Sequence, residues 1–214
     1  MSSNNPYGRS AILYDLNVSL PVIAAIRRQE ARAVANVIAR YADGARRVLE
    51  IGPGTGFYTM LLARTFPEVV AVEESSAMTG ILREKLAVAG AANVTVVNSD
   101  FQSLSLDGEF DMAVAIGVLD YVAEPRSFVA RMCAAARRAV VVTAPQRSFW
   151  GSCFAAGGRL RSTRVYCHEP AAPPSWAPRW RCTVEEVGLR TRLTRGLTLV
   201  AAFERPSSRP WPPA

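Results

Sequence analysis

The stretch "RRVLEIGPGTGFYT", residues 46–59, decides the fold. It places three glycines within five positions, directly after a short apolar run. Glycine has no Cβ, so its backbone can turn tightly or come close to a bound molecule. An apolar strand followed by a glycine-rich loop and a helix is typical of α/β domains that bind nucleosides. The stretch by itself leaves three interpretations open: a dinucleotide site, a site for a different nucleoside cofactor, and a tight turn without a ligand.

Valine-rich runs alternate with helical patterns on both sides of this stretch. Strands with little polar alternation are typical of a parallel sheet covered on both faces, and strand–helix alternation indicates right-handed crossovers. We therefore predict an α/β, Rossmann-like doubly wound sheet, mostly parallel, with helices on both faces. Ser75 or Ser76 is the expected N-cap of the third helix, Gly90 its end, and Pro125 part of the first turn of the fourth. The predicted strands are 46–51, 68–73, 93–100, 110–118 and 139–145, and the predicted helices are 23–44, 57–66, 76–90 and 125–138.

The alternation of strand and helix patterns stops after Pro145. The segment that follows is rich in proline, glycine, arginine and aromatic residues, which indicates an irregular insertion. A short helix is expected at 183–188, followed by an antiparallel hairpin of 189–195 and 197–205. We predict one domain over 1–205, with a helical cap over 1–44, the insertion over 145–182 and a disordered tail over 206–214.

The composition limits the class of protein. Half of the 214 residues are apolar, which suffices for one substantial core. No apolar run reaches the roughly 20 residues of a membrane-spanning helix, and the polar N-terminus lacks the basic and apolar regions of a secretory signal. The four cysteines are 14 to 20 residues apart, without metal-ligand spacing. We expect a cytoplasmic protein with free thiols, no membrane span and no metal.

The net charge of +7 is unevenly distributed. Residues 1–144 carry 14 basic and 14 acidic side chains, whereas residues 145–214 carry 11 arginines and 4 glutamates. Nucleic acid, an anionic small molecule or a membrane surface would each fit such a basic segment. No stripe of alternating aromatic and basic residues of the kind that binds single strands is present. We therefore favour a solvated basic surface.

The spacing of the glycines separates the dinucleotide interpretation from the others. The dinucleotide pattern is GxGxxG, but here the glycines are Gly52, Gly54 and Gly56, and Phe57 stands where that pattern has a glycine for close helix–strand packing. Glu50 precedes the loop and would repel the phosphates of a dinucleotide.

With Glu50 the motif becomes ExGxGxG, and the chain from 46 to 145 resembles the class I S-adenosylmethionine-dependent methyltransferases, in their small-molecule branch. The resemblance implies S-adenosyl-L-methionine as cofactor, S-adenosyl-L-homocysteine as product, and a closing antiparallel hairpin. It also implies that the glycine loop passes under the methionyl part of the cofactor and that Glu50 serves the ammonium end. An acid suits this cofactor, which has no pyrophosphate.

The resemblance assigns further cofactor contacts to the C-terminal ends of the strands. Glu73 would accept hydrogen bonds from the ribose diol, Asp100 from the adenine amino group, and Phe101 would add apolar contact. A solvated acid at Glu73 and a turn cap at Asp100 stay open as alternatives, and Asp111 is expected to be structural. The full implied set is Glu50, Gly52, Pro53, Gly54, Gly56, Glu73, Glu74, Met78, Asp100, Phe101, Ile116, Gly117 and Val118.

Methyl transfer needs few catalytic groups. The carbon is already activated, so the enzyme chiefly aligns the acceptor and excludes water, and a base is needed only if the acceptor loses a proton. His168, the one histidine, has the pKa range of such a base. Asp120 and Tyr121 follow the fourth strand, where acceptor-facing groups are expected. An incidental loop histidine and ordinary loop packing are the alternatives.

The acceptor is expected to contact the variable parts of the chain. The candidates are Tyr14, Phe149, Trp150 and Tyr166, although the aromatic residues of the insertion would equally form a local core. With the arginines between 147 and 164 they indicate a flat or partly anionic small organic acceptor, and not nucleic acid. We expect a monomer or homodimer. A catalytically silent cofactor-binding partner subunit and a nucleic-acid methylase are the competing hypotheses.

Overall fold

The computed structural model describes residues 21–106, 109–147, 165–188 and 197–206. These residues contain four α-helices, seven strands and one short 3-10 turn, Pro173–Ser175. The order is α1 (Pro21–Ala42), β1 (Arg47–Ile51), α2 (Phe57–Thr65), β2 (Glu68–Glu73), α3 (Ser76–Ala89), β3 (Val94–Asn98), β4 (Phe110–Ala115), α4 (Pro125–Ala135), β5 (Ala136–Pro145), β6 (Arg181–Val187) and β7 (Thr198–Glu204).

The described strands form one sheet in the order β3-β2-β1-β4-β5-β7-β6. β1 to β5 pair in parallel, and β7 runs antiparallel to both β5 and β6. The predicted fold class is confirmed. The strand order reverses between β1 and β4, and the C-terminal ends of the strands at such a point leave a crevice for a ligand.

The helices cover both faces of this sheet. On one face α1 and α2 place Val34 and Leu62 against Val48 of β1, and α3 packs on the same side through Leu82. On the other face Phe128 of α4 packs in a core cluster that includes Trp176 and Ala177 of the predicted insertion. Every residue of β4 is buried, and all but Asp111 are apolar, which is typical of a central strand.

Local signals set the ends of the helices as predicted. The Ser75 hydroxyl accepts a hydrogen bond from the Met78 backbone N–H at the start of α3, and Gly90 ends this helix in the left-handed conformation with φ of 64°. Pro125 lies in the first turn of α4, where a missing N–H costs nothing.

The short helix predicted at 183–188 is wrong, because these residues belong mainly to strand β6. β6 pairs with β7 along its whole length. Its two glutamates favour a helix by intrinsic propensity, but both have partners that hold the strand: Glu185 forms a 2.6 Å ion pair with Arg40 of α1, and Glu186 accepts a 3.0 Å hydrogen bond from Gln146. Pairing with the buried β7 therefore outweighs propensity.

Other boundaries also differ from the predictions: for example, β4 ends at Ala115 and not at Val118. α4 ends at Ala135, and β5 begins directly at Ala136, so the strand includes Arg137 and Arg138. The predicted hairpin strand 189–195 and the tail from 207 lie outside the described residues. In the part of the chain that is described, no helix has both the length and the apolar character needed to cross a membrane.

Candidate active site

The glycine loop lies at the C-terminal end of β1, in the crevice beside β4. Gly52 has φ of +66°, and a Cβ there would come within 2.5 Å of Val118 Cγ2. Gly56 has φ of +93°, and its Cβ would come within 2.5 Å of Leu82 Cδ1 on α3. The close helix packing is thus provided by Gly56, so Phe57 crowds nothing and is 59% exposed.

Glu50 is buried beneath this loop, with 3% of its surface exposed. Among the described residues, its Oε2 and the Thr59 hydroxyl are both buried and have no hydrogen-bond partner. Burial raises the pKa of Glu50 to about 7, against a smaller opposing effect of Thr59 and with a further rise from the charge of Glu73. A buried carboxylate oxygen without a partner is complementary to a cationic group with hydrogen-bond donors, such as an ammonium.

Glu73 connects two strand ends. Its Oε2 accepts a 3.1 Å hydrogen bond from the Gly54 N–H, and its Oε1 accepts one of 2.9 Å from the Ser75 N–H. Burial raises the pKa of this carboxyl group despite these bonds. Each oxygen retains a second lone pair, so the carboxylate can still accept bonds from a diol. Glu73 is buried and not a solvated acid, whereas Glu74 is exposed.

Asn98 also helps to hold this edge of the sheet. Its amide donates to the backbone oxygens of Glu73 at 2.8 Å and Glu74 at 3.1 Å. The sequence analysis missed Asn98 and Ser75 as supports of the site. Their type was the available signal, because asparagine and serine side chains at strand and helix ends commonly bond to nearby backbone groups.

The predicted adenine side of the crevice contains Asp100, Phe101 and Met78. Asp100 is exposed, and its Oδ1 accepts a 3.0 Å hydrogen bond from the Gln102 N–H, which is the turn cap considered above. The second carboxylate oxygen of Asp100 does not take part in this bond. Phe101 and Met78 are each 4% exposed and belong to the core, and Phe101 packs edge-on against Phe128 at 5.2 Å.

The end of β4 completes the crevice through Ile116, Gly117 and Val118. The Gly117 N–H donates a 2.8 Å hydrogen bond to the Thr143 hydroxyl on β5, and Val118 contacts the glycine loop as described. Thr143 was not predicted, although it is the one polar residue of the run 139–145.

Asp111 lies at the opposite end of β4, away from the crevice. It accepts hydrogen bonds from the backbone N–H groups of Arg46 at 2.7 Å and Arg47 at 3.0 Å, and from the Arg137 guanidinium at 3.0 Å. Burial acts to raise its pKa, but these donors and the Arg137 charge lower it overall. The position agrees with the structural role expected for Asp111.

A second group of residues lies beyond the ends of β4 and β5. The Tyr166 N–H donates a 2.8 Å hydrogen bond to the Asp120 backbone oxygen, and the Tyr121 N–H donates one of 3.0 Å to Val118. The structure therefore brings Asp120 and Tyr166 together, and Tyr121 is 41% exposed beside them. Tyr14, Phe149 and Trp150 lie outside the described residues.

His168 is held at the end of β5 by its backbone. It forms an isolated parallel bridge with Gln146, in which the His168 N–H donates to Pro145 O at 2.8 Å and the His168 oxygen accepts from the Arg147 N–H at 2.7 Å. Its ring packs edge-on against Trp176 at 5.1 Å. Gln146 and Trp176 were not predicted, because their contacts join segments that are distant in sequence.

The described residues contain no group of three or more histidine, cysteine or acidic side chains that would hold a metal ion. Cys133, Cys167 and Cys182 are free thiols, and burial raises the pKa of Cys133 to about 12.

Comparisons with known proteins agree with this geometry. Residues 48–139 match the model of a family described as a methyltransferase domain, a range that runs from β1 into β5. Ribosomal RNA small subunit methyltransferase A of Desulforapulum autotrophicum is 39% identical over 77 residues, which are 35% of this chain and 27% of that protein. Protein-L-isoaspartate O-methyltransferase of Methanoregula boonei is 44% identical over 54 residues, which are 25% of each. The chain thus spans about a quarter of the length of these curated relatives.

The likeness in three dimensions extends over almost the whole chain. The solved structure of magnesium protoporphyrin IX methyltransferase from Synechocystis PCC 6803 with bound S-adenosylhomocysteine has a TM-score of 0.74 at 19% identity. It covers 94% of this chain and 96% of that one. At this identity the likeness is one of fold.

Proposed function

We propose that the chain, whose residues 48–139 match the methyltransferase-domain family and whose fold is that of a solved methyltransferase, transfers a methyl group from S-adenosyl-L-methionine to a small organic acceptor. The observation that carries the proposal is the buried Glu50 Oε2, which has no partner among the described residues. This oxygen lies under the glycine loop, where it would accept a hydrogen bond from the ammonium group at the methionyl end of the cofactor. A dinucleotide would place phosphates against the same acid.

The crevice offers a partner for each part of the cofactor. Glu50 would hold the ammonium group, the lone pairs of Glu73 the ribose diol, and Asp100 the adenine amino group, with the loop from Ile116 to Val118 alongside. When bound, S-adenosylmethionine supplies a methyl group on a positively charged sulfur. The remaining tasks of the chain are to align the acceptor and to exclude water.

Calorimetric titration with S-adenosylmethionine and, separately, with NAD tests the cofactor. We expect binding of S-adenosylmethionine and a loss of about 10- to 100-fold in affinity for E50Q, since a hydrogen bond to a charged group contributes about 1.5–3 kcal/mol. The matched control is E84Q, which removes an exposed acid on α3 and should bind like the wild type. Binding of NAD without binding of S-adenosylmethionine would refute the proposal.

Support for a small organic acceptor comes from the groups beyond β4 and β5. Asp120 and Tyr121 follow the end of β4, and the Tyr166 and His168 backbones bond to Asp120 and to Pro145 at the end of β5. We propose that this group borders the acceptor. Incubation with ¹³C-methyl S-adenosylmethionine and a panel of phenols, aromatic amines and carboxylic acids, followed by mass spectrometry, tests this acceptor class. We expect at least one labelled product. S-adenosylhomocysteine released with no acceptor from the panel labelled would contradict it.

A nucleic-acid acceptor is the second candidate, because the relative from Desulforapulum autotrophicum is named as a ribosomal RNA methyltransferase and the C-terminal third is basic. Binding to RNA that falls steeply with salt, together with labelling of RNA, would favour it over the small acceptor. The third candidate is a catalytically silent partner subunit that only binds the cofactor. Sustained formation of S-adenosylhomocysteine with any acceptor would exclude it.

A role in small-molecule biosynthesis in the cytoplasm, as a monomer or homodimer, completes the proposal. The three free thiols of the described residues are compatible with a reducing compartment. Light scattering coupled to gel filtration measures the oligomeric state, and a trimer or larger assembly would contradict this part.

A further inference from the structure

Thr59 of α2 is a second buried polar side chain under the glycine loop. Its hydroxyl is buried and, like Glu50 Oε2, has no hydrogen-bond partner within the part of the chain that is described. A Cβ on Gly56 would lie 3.7 Å from this hydroxyl, so Thr59 lies directly beneath the last glycine of the loop. A buried hydroxyl normally has a partner, and the protein alone does not supply one here.

The periodicities of β1 and α2 bring Glu50 and Thr59 to the same side of the sheet. Side chains alternate along a strand, so Glu50 shares a face with Val48, which packs in one core cluster with Leu62 of α2. Thr59 and Leu62 are the buried residues of α2, and their spacing of three places them on one side of the helix. The covering face of α2 therefore presents a hydroxyl to the carboxyl group of β1.

A hydroxyl suits a carboxyl group that changes its charge. It donates a hydrogen bond to a carboxylate and accepts one from a carboxylic acid, and the bond to the charged form is the stronger one. Burial, the largest effect, raises the pKa of Glu50 to about 7, and the Thr59 hydroxyl opposes this rise. Glu50 therefore gains and loses its proton near neutral pH, with Thr59 as a suitable partner in both states.

The groups that surround Glu50 do not balance its charge. Ala71 and Val114 flank it on the neighbouring strands. Glu73 at the end of β2 acts on it through a like charge, and Glu30 of α1 is a further acid on this side, bound to two hydroxyls. The described cationic side chains of α1, α2 and α3 are all exposed: Arg28, Arg32, Arg40, Arg64, Arg83 and Lys85. A compensating cation would therefore have to come with the ligand.

We propose that binding of the cofactor is coupled to the release of one proton from Glu50, and that Thr59 is the positioning residue of this exchange. This rests on the proposed function. In the ligand-free protein at acidic pH, the Glu50 O–H group donates to Thr59. When the ammonium group of the cofactor binds, the O–H bond breaks, its electron pair stays on the carboxylate oxygen, and the proton passes to the buffer. The Thr59 hydroxyl then donates to one oxygen and leaves the other to the ammonium group.

Calorimetric titration with S-adenosylhomocysteine in buffers of different ionisation enthalpy counts the protons released. Because the ionised form of Glu50 binds, a pH below its pKa of about 7 weakens binding. We expect release of about one proton per ligand at pH 6 and almost none at pH 8.5, and an affinity that rises about tenfold between pH 6 and pH 8. E50Q should release no proton, and its affinity should not depend on pH.

Two substitutions separate positioning by Thr59 from packing. T59V keeps the shape of the side chain but lacks the hydroxyl, so Glu50 should lose its proton only at higher pH. We expect the affinity of T59V to be about fivefold below that of the wild type at pH 7 and close to it at pH 8.5, whereas T59S should follow the wild-type profile. T79V is the matched control, because it removes a buried hydroxyl without a described partner from α3 and should leave the shape of the pH profile unchanged.

The proton count on the wild type needs no variant. Equal heats of binding in all buffers at pH 6 would overturn the proposal. A pH dependence that persists in E50Q would assign the proton to another group, such as Glu73 or His168, and would overturn it as well. Coinciding profiles of T59V and the wild type would remove the role of Thr59. Failure of the proposed function would look different, since S-adenosylhomocysteine would then not bind at any pH.

Discussion

At Glu50, a group that prefers water is enclosed in a site that excludes it. The side chain is 3% exposed, and its Oε2 finds no partner within the described part of the chain. Such an arrangement reduces the stability of the free protein and becomes favourable only when a cation arrives. Glu73, by contrast, already uses both oxygens on backbone N–H groups. The two acids of the crevice therefore differ. Glu73 already binds backbone N–H groups of two loops, whereas Glu50 has a buried oxygen that a bound cation would pair with.

The pH dependence of stability follows from Glu50. Its folded pKa of about 7 lies above the usual value for a glutamate, so the folded state holds a proton that the unfolded state has lost between these values. Stability therefore falls as pH rises from about 4.5 to 7. We expect E50Q to raise the free energy of unfolding at pH 8 by up to about 3 kcal/mol, and to change it little at pH 4. Urea denaturation of the ligand-free protein measures both values. E84Q is the control, and equal effects of E50Q at the two pH values would contradict the prediction.

At the scale of elements, the proposed cofactor side of the crevice rests on local sequence signals. Glu50 and the glycines lie in one strand–loop–helix unit, and Glu73 and Asp100 end the next two strands. The acceptor side was not predictable in the same way. The His168 backbone bonds to Pro145 and Arg147, more than 20 positions away, and no periodicity reports such contacts. β6 was misassigned for a related reason, since its conformation depends on pairing with β7 and not on its own propensity.

The glycine loop supplies a matched pair of substitutions. Gly52 and Gly54 both have positive φ, but a Cβ on Gly52 meets Val118 at 2.5 Å, whereas one on Gly54 meets nothing within 4 Å. We expect G54A to cost about 1 kcal/mol of stability from φ alone, and G52A to cost more and to weaken S-adenosylmethionine binding further. Thermal and urea denaturation compare them, and G52A/V118A should recover part of the difference. Equal costs for the two single substitutions would show that the Val118 contact is unimportant.

Glu30 connects α1 to two other elements. Its Oε1 accepts a 3.1 Å hydrogen bond from the Tyr58 hydroxyl of α2, and its Oε2 accepts one of 3.1 Å from the Thr198 hydroxyl of β7. We expect E30A to lower the free energy of unfolding by about 1–3 kcal/mol. The control R28A, at an exposed position of the same helix, should be close to the wild type. An unchanged urea midpoint in E30A would show that α1 is held by its apolar face alone.

At the scale of the whole molecule, the proposed cofactor side and the proposed acceptor side share one sheet. The family match ends at residue 139, and the residues beyond β5 add His168, Trp176 and the antiparallel pair β6 and β7. The proposed cofactor crevice is formed by the loops that follow β1, β2 and β4. A ligand bound there should therefore stabilise the sheet to which these strands belong.

Ligand binding should therefore raise the melting temperature of the whole domain. A ligand at 100 times its Kd adds about 2.7 kcal/mol, which for a domain of this size corresponds to roughly 5–10 °C. We expect this shift with S-adenosylhomocysteine and none with NAD at equal concentration. Differential scanning calorimetry measures it, and E50Q should show a smaller shift. A full shift with NAD would contradict the assignment of the crevice.

The antiparallel strand β7 has an evolutionary consequence. Its first residue, Thr198, pairs with Pro145 at the end of β5 and with Val187 at the end of β6. The chain that joins β6 to β7 therefore starts and finishes at the edge of the sheet where the crevice opens, and the chain that leaves β5 starts there and ends at the opposite edge, where Arg181 of β6 pairs with Glu204. Either connection can change length or composition while every strand keeps its register. Descendants of such a fold can exchange one acceptor for another by rewriting these two connections, and inherit the methyl-donor machinery unaltered.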